Sequence, residues 1–432
     1  MHGDDVPSFF NEETHDKKGN DAIFAMLARC MEAKSAGADV INATVGSLLD
    51  DDGILAINSV VLEQLKNAES IEYAAYSPLG GKPDFLDLSI TTALGHVRSK
   101  LENLGIMATS TATPGGSGAL RMSAANLASR GDKVLLRERH WGPYQGFLRE
   151  AGLKSATWPL LGTDSEDSHP DFAMPEFETA LTDLINEQDR VLIWLNDPAH
   201  NPTGLSMSPS ARYDLLDIVM AQASSNLHKG VTLYIDSAYT LYAEETHGWA
   251  ETILEAIESG LPWPENLLIC FGISFSKSHT MYGMRCGAIV TVHPNQELLE
   301  RIDEIFVATG RSTWSAPTRL PQDAIVRIHS DEQLSLKWEE ERDAFTKLLK
   351  DRRDKLLSSC SDLGVKLVPS HDGFFAFLEH DNPSAISEAC ASRHVYVVAL
   401  AGGVRIGVCA ANQNQMTRLA ETLKYAIEEV NE

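Results

Sequence analysis

The sequence predicts an α/β protein: a mostly parallel sheet sandwiched by helices, joined to a smaller α+β lobe. Three observations carry this. From about residue 115 onward, apolar strand-like runs alternate with helix-like stretches, the rhythm of a parallel sheet covered by helices. After about residue 320 the character changes to a long charged helix followed by short strands. The chain has 432 residues, more than one ordinary compact domain, so two lobes with an interface between them are expected, and such an interface suits a ligand cleft.

Taken in order, residues 1–20 read as a loose polar arm of the kind that docks on a partner subunit. Asp21 to Ala36 has helical periodicity and stops near Gly37. The strand runs are KVLLRER from Lys133, RVLIWLND from Arg190, VTLYIDSAY from Val231, LLICFGIS from Leu267 and GAIVTVH from Gly287. Glu332 to Ser359 then keeps an apolar stripe among charges, the pattern of a helix with a solvated face. Short strands follow at VKLVPS, GFFAFLE, HVYVVAL and GVRIGVC, with helices between and after them. No internal repeat or low-complexity segment is evident.

With 61 acidic against 36 basic residues the net charge is -25. That charge repels phosphate backbones and anionic membrane surfaces, so nucleic acid and membrane are not expected partners. The six cysteines are scattered, with no metal-knuckle or redox spacing, and read as reduced core residues. The start lacks a signal-peptide layout, and no run of about 18 apolar residues occurs, which predicts a cytoplasmic home.

Ligands of open parallel sheets bind beyond the carboxyl ends of the strands, so polar residues just after predicted strands are the ones to collect. Thr113-Pro-Gly115-Gly116-Ser117-Gly-Ala-Leu-Arg121 is a glycine-rich turn opening a helix, where bare amides and the Ser117 hydroxyl suit a phosphate, although an ordinary turn fits too. It lacks the Gly-Lys-Ser/Thr of a nucleotide P-loop. His200-Asn201-Pro-Thr-Gly204 offers an amide to the cleft or merely turns the chain. Asp236-Ser-Ala-Tyr239 puts a carboxylate at a strand end, as a functional acid or as a helix cap. Ser274-Phe-Ser-Lys277 places a lysine at a buried strand end, costly unless it is paired or used covalently, and Arg285 lies eight residues on, where it and Ser274 can meet one phosphate. Arg405 stands inside an apolar strand and should face an anion. Together these pieces ask for a group with a phosphate, a carbonyl that takes an amine and a ring nitrogen that needs a carboxylate, and pyridoxal 5'-phosphate has all three.

The order TPGGSGALR, HNPTG, DSAY, SFSK…YGMR and VRIG resembles the fold-type I aminotransferases, in their aspartate and aromatic amino acid branch. Tyr76-Ser-Pro-Leu-Gly-Gly-Lys-Pro-Asp-Phe85 is similar to that branch's tyrosine segment, and Ile41 to Gly46 to its substrate-lid stretch. The resemblance covers nearly the whole chain. It implies a large domain at 55–319 with a seven-stranded sheet, a small domain from 21–54 and 320–432, and a homodimer. Lys277 would form the Schiff base with the cofactor and then shuttle the substrate proton. Asp236 would pair with the ring nitrogen, Tyr239 and Asn201 would bond the phenolic oxygen, and Trp141 would stack on the ring.

The phosphate would be held by Gly115, Gly116, Ser117, Ser274 and Arg285, with Tyr76 reaching in from the other subunit. Arg405 would take the substrate carboxylate beside Asn201 and Trp141, Val45 and Gly46 would close over it, and Arg311 of a neighbouring subunit would meet a dicarboxylate side chain. Aspartate, glutamate and aromatic amino acids, with 2-oxo acids such as 2-oxoglutarate, are the implied substrates. Several positions depart from the branch: Ala316, Met284 and Gly407 replace its asparagine, glutamate and asparagine, and a histidine supporting the ring-nitrogen aspartate is expected near Tyr144. Competing readings are a carbon–sulfur lyase or decarboxylase on the same cofactor, or a non-catalytic regulator, for whose usual DNA-binding domain the chain has no room.

Overall fold

Strands β1 (Ile41–Asn42), β2 (Met107–Pro114), β3 (Lys133–Arg137), β4 (Lys154–Trp158), β5 (Arg190–Asn196), β6 (Gly230–Asp236), β7 (Leu267–Ser274) and β8 (Cys286–His293) set the frame of the first two-thirds of the chain. The computed structural model describes residues 14, 17, 19, 21–163 and 170–432. Strands β2 to β8 form one seven-stranded sheet in the order β2-β8-β7-β6-β5-β3-β4. The five strands from β7 to β4 run parallel, and β8 pairs antiparallel with both β7 and β2. Because successive side chains of a strand point to opposite faces, β5 sends Val191, Ile193 and Leu195 into one core and Leu192 and Trp194 into another. Helices cover both faces, as the near-continuous apolar runs require.

The α/β class and the seven-stranded sheet are therefore as expected, with two strands added. β2 and β4 escape a reading based on apolar runs because MATSTATP and KSATW carry mostly small or polar residues. Both lie at the edges of the sheet.

The second lobe holds β9 (Phe375–Glu379), β10 (Val395–Tyr396), β11 (Val398–Leu400) and β12 (Gly403–Gly407). β11, β12 and β9 make an antiparallel sheet, while β10 pairs with β1. Its core gathers Phe374, Ile386, Val404, Ile406, Leu419 and Leu423. The expected strand at Val365–Ser370 is not one. Val368 N–H bonds Phe377 O and the Ser370 hydroxyl bonds Phe375 O, but Pro369 has no N–H with which to continue a ladder.

The helix Ala22–Ser35 is capped by the Asp21 carboxylate and stops short of Gly37, at φ +91. A bidentate Arg29–Glu388 pair fastens it to the second lobe, and Cys30 packs there against Ala391 and Tyr396. Of the arm at residues 1–20 nearly all lies outside the described residues; Lys17 pairs with Glu150. The long helix spans Glu332–Asp362 and serves both lobes: Trp338 belongs to the core under the large sheet, and Leu349 and Leu356 to the second core. Ile325 and Ile328, on the preceding helix, also join the large-sheet core, so the crossover falls beyond the expected boundary at 320. All six cysteines are free and buried. Among the described residues no helix is long and apolar enough to cross a membrane, and no cluster of side chains could hold a metal ion.

Candidate active site

A cleft of about 250 Å³ opens where β5, β6 and β7 end, against the second lobe. Of the expected residues, Gly46, Gly116, Ser117, Trp141, Asn201, Asp236, Tyr239, Ser274, Lys277, Arg285 and Arg405 line it, as does Val45. Gly115 lies just beneath, with φ +67, and a side chain there would meet Arg285 Nη2 at 2.8 Å. Two residues stand apart. Tyr76 is 89% exposed and Arg311 is exposed at the end of the helix Gln296–Thr313, and neither lines the cleft of its own chain.

Asp236 closes β6 and is buried. Its Oδ2 accepts a 2.6 Å hydrogen bond from the Tyr144 phenol, and its Oδ1 accepts one from Ala238 N–H at 3.3 Å. Burial raises the carboxyl's pKa, while Tyr144 and the nearby Lys277 pull it down. The support expected from a histidine thus comes from a phenol. Asn196, which the strand-end rule would also have found, steadies both neighbours: its amide donates to Asp236 O at 2.8 Å and its Oδ1 accepts from Asn201 N–H at 2.7 Å. Asn201 Nδ2 in turn donates to the Tyr239 phenol at 3.4 Å.

Lys277 sits in the short helix Phe275–Ser278, where the rigid end of β7 delivers it to the cleft. Desolvation pushes its amine down to about 8, with Asp236 opposing the shift and Arg285 adding to it. The ammonium nitrogen lies 5.3 Å from the centre of the Tyr239 ring. An amine of that pKa is half deprotonated near pH 8, so far more of it is available as a nucleophile near neutrality than of an ordinary lysine.

Two basic groups mark two anion sites. Arg285, itself at φ +53, bonds Ser276 Oγ and Tyr282 O, each at 3.1 Å. It faces the start of the helix Gly115–Asn126, which has no side-chain cap, so its first N–H groups are free for a ligand. A side chain at Gly116 would sit 3.3 Å from Ser274 Cβ, so any residue larger than glycine would crowd this corner. Arg405 is buried on β12, bonds Thr44 O at 2.6 Å and lies 4.4 Å from the Phe375 ring centre. Among the described residues its Nε has no hydrogen-bond partner, and burial lowers its pKa. Ile23, Phe24, Ser47 and Phe375 also line the cleft. They lie outside any strand-end motif, and their sequence context carries no signal.

The residues fit a phosphate at one end, a ring-nitrogen acid in the middle and an amine between them, which defines an α/β enzyme working through pyridoxal phosphate. Comparison with known proteins narrows this. The family model for aminotransferase class I and II matches residues 38–423. The tyrosine aminotransferase of Klebsiella pneumoniae is 23% identical over 84% of this chain and 87% of its own. The aromatic-amino-acid aminotransferase of Pseudomonas aeruginosa is 24% identical over 89% and 92%. Among solved structures, an aminotransferase from Anaerococcus prevotii has a TM-score of 0.89 at 26% identity, covering 96% of this chain and 98% of that one. The cytoplasmic aspartate aminotransferase of Saccharomyces cerevisiae shares the fold, with a TM-score of 0.79 at 19% identity and the same coverage. The chain belongs to the class I and II aminotransferases, enzymes that use pyridoxal phosphate to exchange amino groups between small amino and oxo acids.

Proposed function

We propose that the enzyme moves an amino group between aspartate, glutamate or an aromatic amino acid and a 2-oxo acid such as 2-oxoglutarate, as a cytoplasmic homodimer. The observation that carries this reading is the buried Arg405, whose Nε has no hydrogen-bond partner among the described residues, in a cleft whose apolar wall includes Phe24, Val45, Trp141 and, against the guanidinium itself, Phe375. A planar guanidinium suits a carboxylate, and the wall suits an apolar or aromatic side chain. Acceptance of a second carboxylate depends on Arg311 from the neighbouring subunit.

When bound, pyridoxal phosphate supplies a carbonyl that takes up the amino group and a ring that accepts the electrons of the α-carbon–hydrogen bond. The Lys277 amine would hold the cofactor and, as a free base, would move the proton at the substrate α-carbon. Asp236 holds the ring-nitrogen proton, backed by Tyr144. Tyr239 and Asn201 bond the phenolic oxygen, and Trp141 covers the ring face. Gly115, Gly116, Ser117, Ser274 and Arg285 bind the phosphate, joined by Tyr76 from across the interface. Arg405 fixes the substrate carboxylate so that its α-hydrogen faces Lys277.

A second copy is supported by the exposed apolar stretch Ile54, Ile57, Ile71, Tyr73 and Tyr76, which a partner would cover. The large domain is assigned to 55 to about 330 and the small one to 21–54 with the residues after the long helix, the two sharing that helix. The test is a panel of amino donors against 2-oxoglutarate, with the wild type and Arg311→Ala. The variant should lose aspartate use by about 30-fold or more, the scale of a desolvated charged pair, and keep phenylalanine use within about threefold. Equal losses would mean that Arg311 does not read the side chain, and no activity with either class would remove the substrate assignment.

A further inference from the structure

Tyr282 stands between Lys277 and Arg285 and has no role in the chemistry above, yet it touches both sides of the cleft. Its carbonyl accepts a hydrogen bond from Arg285 Nη1 at 3.1 Å. Its phenol oxygen accepts one from Leu48 N–H, also at 3.1 Å. Leu48 directly follows Val45, Gly46 and Ser47, which line the cleft. The Tyr282 ring packs on the second core, and burial keeps its hydroxyl un-ionised.

The other bonds of this loop lead back into the second lobe. Thr44 O accepts from Arg405, Val45 O from the Cys409 thiol and Leu49 O from Arg352, while Leu49 N–H donates to Cys409 O. Leu48 O accepts from Ala56 N–H, a few residues on in the same segment, so among the described residues the Tyr282 phenol is the side-chain partner that residues 44–49 find on the turn next to Lys277. Ten residues after Leu48, Asn58 N–H donates to Thr280 Oγ1 at 2.7 Å. One turn, 280–282, thus anchors both ends of the segment that leads from the cleft loop into the large lobe.

We propose that Tyr282 is a positioning residue that transmits occupancy of the phosphate site to the loop over the substrate. An anion on the guanidinium of Arg285 fixes its planar fork through charge-assisted bonds. That fixes the carbonyl of Tyr282, and the phenol of the same residue then holds Leu48 and, with it, Val45 and Gly46 over the cleft. The coupling is reciprocal: closing the loop tightens the phosphate site. The inference rests on the reading of Arg285 as a phosphate ligand.

Hydrogen–deuterium exchange on the apoenzyme and holoenzyme tests it, using wild type and Tyr282→Phe, which keeps the ring and removes the acceptor. In the wild type, loading with pyridoxal phosphate should slow exchange at both 281–286 and 45–49; in Tyr282→Phe it should slow 281–286 alone. Pyridoxal without its phosphate should leave 45–49 unprotected in either protein. The KM for the amino donor should rise about fivefold in the variant, the scale of one neutral hydrogen bond, with kcat within about twofold. Protection of 45–49 that persists in Tyr282→Phe, or that is missing in the wild type while 281–286 is protected, would overturn the coupling. If loading leaves 281–286 unprotected in the wild type, the phosphate role of Arg285 falls, and the coupling with it.

Discussion

Replacing Tyr144 by phenylalanine deletes one hydroxyl and leaves the ring in place between Trp141 and Trp194. The lost contact is the 2.6 Å bond to Asp236 Oδ2, inside a buried pocket where no solvent replaces it. A hydrogen bond to a charged group contributes about 1.5–3 kcal/mol, and about 1.4 kcal/mol corresponds to one pKa unit. Burial already raises the Asp236 pKa and Tyr144 opposes that rise, so removing the phenol moves the carboxyl further up. In the proposed role Asp236 acts as an anion, and that role is lost as pH falls through its pKa. The acidic limb of the pH profile should therefore shift to higher pH. If the full contribution acts on the reaction, kcat should drop about 10- to 100-fold at neutral pH. Steady-state rates between pH 5 and 9 would measure both effects, and Tyr144→His, which restores a donor, should recover part of the loss. An unmoved acidic limb with kcat within twofold of wild type would refute the argument that this bond sustains Asp236.

Two further predictions concern the other charged residues of the cleft. Because the Lys277 amine is held near 8, the rate at which apoenzyme captures pyridoxal phosphate should climb with pH, about tenfold per unit well below 8, and level off above it; stopped-flow absorbance would record this, and a flat profile between pH 6 and 8 would contradict the assigned shift. Arg405→Gln should raise KM for amino acids by about 30-fold or more, through loss of the charged fork, and Arg405→Lys should restore only part of it; unchanged KM values in both would move the carboxylate elsewhere.

The site was more legible in the sequence than the frame that carries it. Lys277, Asp236 and Asn201 each follow an apolar run, and the rule that ligands bind at strand ends found them without knowledge of how the strands are ordered. β2 gave no comparable signal, since its Thr, Ser and Ala residues owe their place to pairing with the apolar β8 rather than to their own hydrophobicity. Val365–Ser370 misled in the opposite sense: its alternation is apolar enough for a strand, but proline denies it a ladder. Tyr144 shows why residue type at one position is weak evidence about a contact, because a phenol reaches the carboxylate that was expected to meet an imidazole. Phe24 and Phe375 could not be found at all, because their contribution comes from how two lobes meet, which no local pattern encodes.

The long helix Glu332–Asp362 has 31 residues, and at 1.5 Å per residue it measures about 46 Å. It is rooted under the large sheet at Trp338, and the 24 residues beyond that point extend about 36 Å into the other core. Such a rod works as a lever. A tilt of about 5° at its root would displace its far end by about 3 Å, the order of a side-chain contact. Trp338 stacks on His279, two residues beyond Lys277, so a small change of packing at that root would be magnified at the far end of the rod, where Leu356 and Cys360 sit in the second core.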